Sequence, residues 1–87
     1  MARRVRAQVK EQLKSEQLTL GELFDRAETD DVLAKLKVVS MLEAMPNTGK
    51  VKARRLMREL DISDSRRLRG LGTNQRRRLL EHFGSLP

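Results

Sequence analysis

Two short segments hold the residues best suited to chemistry. In Asn47-Thr48-Gly49-Lys50-Val51-Lys52-Ala53 a turn passes through a glycine into a helix whose first residues are basic. Gly49 lets the backbone come close to a ligand, the unpaired N–H groups of a helix start point outward, and the partial positive charge there favours an anion. Lys50 and Lys52 add full charges, so the segment suits phosphate positioning rather than base reading. Thr48-Gly49-Lys50 does not make a nucleotide phosphate loop. No glycine precedes it at the required spacing, and Val51 stands where a magnesium-holding Ser or Thr belongs. The second segment is Leu68-Arg69-Gly70-Leu71-Gly72-Thr73-Asn74-Gln75-Arg76, in which Leu71 is expected to plug into the core while Gly70 and Gly72 expose their amides. Arg66, Arg67, Arg69, Arg76, Arg77 and Arg78 place six guanidinium groups within thirteen residues. Arginine in place of lysine favours planar phosphate recognition or insertion into a narrow minor groove.

Other chemistries lack their residues. With no cysteine among 87 residues there is no disulfide, thiolate nucleophile or Cys-ligated metal. His82 is the single histidine and sits beside Glu81 near the end of a helix, where a cation suits the helix terminus. Asp30 and Asp31 are better explained as a helix cap and first-turn acid than as metal ligands, and Met41, Met45 and Met57 follow helical spacing as core filler. No enzyme, cofactor, metal site or small-molecule substrate is therefore expected. The two aromatics, Phe24 and Phe83, stand at core spacings, which disfavours a single-strand binder that stacks bases and favours a duplex partner.

The elements that must position these residues are helical throughout, because apolar residues recur at three and four and the prolines are confined to Pro46 and Pro87. Val5, Val9 and Leu13 give a first helix over 3–14, with Arg3, Arg6, Lys10 and Lys14 on an adjoining strip. Thr19 and Glu22 form a capping box, and Leu18 with Leu23 a hydrophobic staple, for a second helix to Ala27. A third is expected from the Thr29-Asp30-Asp31 cap through Leu36, and a fourth from Val38 to Met45, ending before Pro46. A fifth over 49–60 buries Ala53, Leu56, Met57 and Leu60. Ser63 or Asp64 is expected to cap a short turn carrying Arg66 to Arg69, and a last helix runs from Thr73 to Phe83, stopped by Gly84.

The formal charge of +7 divides unevenly. Residues 1–10 carry four basic residues and no acid, 11–45 four basic and eight acidic, and 50–78 eleven basic and three acidic. An acidic middle between two basic regions is the footprint of a polyanion-binding face. A chain of this length forms one domain that buries about 60% of its unfolded surface, a core too small for a deep catalytic cleft. No apolar run approaches a membrane span, and the start lacks a secretory pattern, so a cytoplasmic location is expected.

From about Val5 onward the chain resembles the actinobacterial-type integration host factors, small nucleoid-associated proteins unrelated in fold to the β-armed heterodimer of the same name. The resemblance is carried by Asp31-Val32-Leu33-Ala34-Lys35-Leu36-Lys37-Val38, by Leu42-Glu43-Ala44-Met45-Pro46, by Gly49-Lys50-Val51-Lys52-Ala53 and above all by Arg66-Arg67-Leu68-Arg69-Gly70-Leu71-Gly72. It implies an all-α single domain of six to seven helices with a basic N-terminal helix (1–15) and a helical core (16–87). The core would contain a helix-two-turns-helix unit over about 38–83, similar to that of some DNA glycosylases and of a small-subunit ribosomal protein. It further implies sequence-tolerant binding, bending and compaction of duplex DNA in the nucleoid, and assistance to integration. The implied contacts are Gly49, Lys50 and Lys52 on phosphates, Arg66, Arg67 and Arg69 toward the minor groove, and Gly70, Gly72, Arg76 and Arg77 beside them. Independently of the resemblance, the two basic regions suggest a secondary contact at Arg3, Arg6, Lys10 and Lys14, so that one monomer touches two duplex segments or a bent one. Gly70-Leu71-Gly72 resembles the glycine–apolar–glycine hairpin of helix-hairpin-helix motifs, and Arg76 departs from the small residue usual at its position there. The alternative reading is a structured-RNA or ribosome partner.

Overall fold

The computed structural model describes residues 2–83. Six α-helices, α1 (Ala2–Lys14), α2 (Leu20–Ala27), α3 (Asp31–Ala34), α4 (Val38–Ala44), α5 (Gly49–Glu59) and α6 (Thr73–His82), are joined by turns and one 3₁₀ turn, Leu68–Gly70. No strand is present among the described residues, and the fold is all-α. The expected stop at Gly84 lies outside them.

One apolar core serves all the helices, and no polar or charged side chain is buried among the described residues. Val9 and Leu13 of α1 enter it beside Leu33 and Leu36, Met41 and Leu42 of α4, and Leu56 and Met57 of α5. Met41, Met45 and Met57 are all buried, as their helical spacing requires, and so are Phe24 and Leu71. Helices α4 and α5 form the most extensive helix pair, α1 lies across α3 and α4, and the 3₁₀ turn packs on α2 and α3.

Local signals account for most boundaries. The capping box is complete: the Glu22 amide donates to Thr19 Oγ1 at 3.1 Å and the Thr19 amide donates to Glu22 Oε1 at 3.0 Å. Leu18 and Leu23, the staple, are both buried. Asp30 caps α3 through Oδ1, which accepts from the Val32 and Leu33 amides. Helix α4 stops at Ala44 because Pro46 denies it a donor.

Two expectations fail for one reason. Helix α3 ends at Ala34, two residues short of Leu36, and the turn after α5 is capped by neither Ser63 nor Asp64. Residues 36–38 are instead paired antiparallel with 66–68: the Leu68 amide donates to Leu36 O, and the Val38 amide to Arg66 O, each at 2.9 Å. Drawing Arg66 and Arg67 into extended backbone delays the 3₁₀ turn to Leu68, whose capping residue is Arg67. The carbonyl of Ser63 accepts from the Arg66 amide, while Asp64 pairs with Arg54 at 3.6 Å on the surface.

The cap supplies a pH test. Donation from the Thr19 backbone, then from its hydroxyl, holds the Glu22 carboxyl below its ordinary 4.5. Its contribution is therefore complete above that ordinary value and is lost as pH falls through the lower value of the folded chain. Thr19→Ala should cost about 1 kcal/mol in urea unfolding at pH 7. Glu22→Gln should lose less stability than the parent between pH 7 and pH 3; an equal loss would show that Glu22 is not part of the acid response.

Candidate nucleic-acid interface

The turn before α5 uses two left-handed residues, Asn47 at φ 60° and Gly49 at φ 70°. Asn tolerates that region, and at Gly49 any side chain would be strained although space is free: nothing lies within 4 Å of where a Cβ would stand. No side chain caps α5 at Thr48, so the first-turn amides after Gly49 keep their donors unused within the helix. Lys50 is exposed, and the Lys52 ammonium folds back to donate to Asn47 O at 3.3 Å. Between them Val51 is 73% exposed, an apolar residue on a basic turn that helical periodicity alone does not single out.

In the second turn the glycines behave differently from expectation. Neither offers a free amide: Gly70 donates to Arg67 O at 2.9 Å, and Gly72 donates to Gln75 Oε1 at 3.0 Å. Gly70 is needed because the aliphatic stem of Arg66 lies over it; a Cβ would stand 2.9 Å from Arg66 Cδ. Arg66 Nη1 then donates to Gly70 O at 2.8 Å. Gln75, given no role by the sequence, is the centre of this turn. Its Oε1 accepts from Gly72, and its Nε2 reaches the Leu60 and Asp61 carbonyls at 3.3 and 3.2 Å, tying the end of α5 to the start of α6. The amides that point outward here are those of the uncapped first turn of α6, from Thr73 on.

The arginines divide into two groups. Arg66 is half-buried against the hairpin, and Arg67 Nη1 donates to Lys35 O, a side-chain tie across 32 residues. Arg76 turns inward, with its guanidinium carbon 5.6 Å from the Phe24 ring centroid and Nη1 3.8 Å from Glu28 Oε1. Its Nε is buried without a hydrogen-bond partner among the described residues. Arg76 therefore clamps α6 onto α2. Arg69 and Arg78 are exposed and unpaired among the described residues, and exposed Arg77 reaches only Asn74 Oδ1 at 3.4 Å.

The strip on α1 joins these turns. Arg3, Arg6 and Lys10 line a cleft of about 370 Å³ whose other wall holds Lys35, Lys37 and Arg67. Lys14 lines a neighbouring depression with Glu43 and the Asn47–Gly49 turn. Helix α1 thus runs from the 36–38/66–68 pairing, beside Arg3, Arg6 and Lys10, to the Asn47–Gly49 turn, beside Lys14. Lys35 and Lys37 were missed in the sequence because a helix through Leu36 would scatter them; the turn at Lys35 and the extended pairing at Lys37 leave both exposed on the same cleft. Among the described residues the only ion pairs are Arg54–Asp64 and Arg76–Glu28, so the remaining cations have no carboxylate partner.

This arrangement of helices and turns is that of an S13-like H2TH domain, and the profile of that family matches residues 13–83. The integration host factor of Mycobacterium tuberculosis is 54% identical over 97% of this chain and 80% of its own length. That of Mycolicibacterium smegmatis is likewise 54% identical, over 94% and 78%, and that of Streptomyces coelicolor 48% identical, over 97% and 78%. A solved structure of sIHF bound to an 8-bp palindromic DNA superposes with a TM-score of 0.92 at 47% identity, covering 95% of this chain and 93% of that one. The chain belongs to the integration host factor family.

Loss of the clamp is measurable. Arg76→Ala should cost about 1 kcal/mol in urea unfolding, from the ring contact and a partly exposed ion pair, and Arg77→Ala less than about 0.5 kcal/mol. Gly70→Ala should cost about 1 kcal/mol, one net hydrogen bond, by displacing Arg66. That cost should vanish in an Arg66→Ala background; persistence there would place the conflict in the backbone.

Proposed function

We propose that this chain is a non-enzymatic, nucleoid-associated architectural protein that binds duplex DNA with little sequence preference, bending and compacting it and assisting integration or recombination. The observation that carries the proposal is the basic strip of α1, bordered at one end by Lys35, Lys37 and Arg67 and at the other by the open helix start after Gly49, with none of these cations in an ion pair among the described residues. Open amides and the positive helix end position phosphate, and exposed Lys50 and Arg69 supply charge. Arg69, unengaged by the protein, is the arginine best placed to enter a minor groove, whereas Arg66 and Arg67 shape the turn that presents it. Relatives named integration host factor and a DNA-bound structural neighbour support the reading.

The contacts that Lys50 and Arg69 offer are to phosphate and groove width, which carry little base information. The amide and carboxylate row of α1, Gln8, Glu11 and Gln12, lines a different depression from the one bordered by Arg3, Arg6 and Lys10. Helix α1, about 20 Å long at 1.5 Å per residue, extends the face beyond a single turn. A duplex that follows it gains contacts by curving, which is how binding becomes bending.

Engagement of about five phosphates gives log affinity against log salt a slope near −4.5. Lys50→Ala should weaken binding uniformly across sequences and bring that slope toward zero by about one, read by fluorescence anisotropy between 50 and 200 mM salt. Arg69→Ala should weaken duplex binding without altering the helical spectrum. Unchanged affinity in both variants would sink the site assignment, and tighter binding of A-form RNA than of DNA at equal salt would favour the ribosomal alternative.

A further inference from the structure

Lys37 and Arg67 stand directly opposite one another in the 36–38/66–68 pairing, at the position where the two residues exchange no backbone hydrogen bond. Such pairs bring side chains closest, with Cα atoms about 4.5 Å apart, and like charges placed there repel. Leu36, Val38 and Leu68 take the inward side and are buried, which leaves Lys35, Lys37 and Arg67 together on the outer side. Across the cleft stand Arg3, Arg6 and Lys10. No carboxylate lines this cleft, although the stretch from 11 to 45 alone carries eight acids, and none of the six cations joins an ion pair among the described residues. The Lys35 carbonyl fixes the Arg67 guanidinium at the rim, and Ser40 adds a hydroxyl to the lining.

We propose that this cleft binds a condensed phosphate, either an inorganic chain or the polyphosphate of a nucleotide. Cations on two facing walls match a compact ligand that presents several negative charges within a few hundred Å³. A duplex strand spreads its phosphates along a convex edge and meets one wall at a time. A ligand seated here relieves the Lys37–Arg67 repulsion that the backbone pairing imposes. It also occupies Arg3, Arg6 and Lys10 on the α1 strip that a curving duplex would follow, so it competes with DNA; the competition, unlike the binding itself, rests on the duplex reading above.

Isothermal titration of the full chain with sodium tripolyphosphate, a nucleoside 5′-triphosphate and orthophosphate at constant ionic strength tests the site. Tripolyphosphate should bind one to one and at least tenfold more tightly than orthophosphate. Lys35→Gln/Lys37→Gln should weaken it at least tenfold, and Arg3→Gln/Lys10→Gln should do the same from the opposite wall. Arg55→Gln/Arg58→Gln, which removes equal charge from α5, should change it less than threefold. Equal affinity for tripolyphosphate and the nucleotide identifies the phosphate chain as the ligand; a tighter nucleotide identifies a nucleotide. Tripolyphosphate binding no tighter than orthophosphate, or equal weakening in all three double variants, overturns the proposal. Retained tripolyphosphate binding without duplex binding would sink the DNA reading and leave the cleft assignment standing.

Discussion

Two backbone hydrogen bonds, from Leu68 to Leu36 and from Val38 to Arg66, hold the basic surface in register. Each is worth only about 1 kcal/mol net, but both lie among Leu36, Val38 and Leu68, all nearly inaccessible to solvent, where an unmade bond would strand a polar group in the core. The pairing cuts α3 short, starts α4 at Val38, and holds Arg66 and Arg67 extended, so that the Leu68–Gly70 turn and then α6 begin where they do. Lys37 and Arg67 face solvent together because strand-like backbone alternates its side chains against buried Leu36, Val38 and Leu68, and Lys35 is exposed on the turn just before the pairing.

Much of the fold was legible in short-range chemistry. Thr19 with Glu22, Asp30 before Val32, and Pro46 after Met45 each act within four residues, and the structure places caps and ends there. The family and its all-helical unit were legible too, through the Arg66–Gly72 and Gly49–Ala53 segments. What escaped was the contact of 36–38 with 66–68, since neither stretch has an alternating pattern long enough to announce pairing. With it escaped the role of Lys35 and Lys37 and the true start of the 3₁₀ turn. Gln75 escaped for another reason: a single amide that bonds two turns has no periodicity to betray it.

Six arginines in thirteen residues looked like six groups offered to one partner. The structure spends them differently. Arg66 shapes the hairpin that Gly70 accommodates, Arg67 ties that hairpin to the α3–α4 connector, and Arg76 lies on Phe24. Guanidinium suits these tasks because its planar fork donates to carbonyls and its face rests on aromatic carbon. Of the six, Arg69, Arg77 and Arg78 remain outward and without a tie to another element, a smaller and more sharply placed set than composition suggests, while exposed Arg67 is held by its bond to Lys35.

The pairing also sets an order of assembly. Its two arms are separated in sequence by α4, α5 and the loop after them, and Arg67 meets Lys35 only across 32 residues. Closing so long a segment from an open chain is slow and entropically costly, whereas the α4–α5 pair closes over a few residues. Once that pair has formed, the arms are already neighbours and the ladder closes at little further cost. By loop closure, the joined basic walls thus come after the α4–α5 pair in the order of assembly. A chain caught midway displays the same lysines and arginines with no fixed geometry, so the capacity to grip a polyanion in a defined orientation arrives together with the native state.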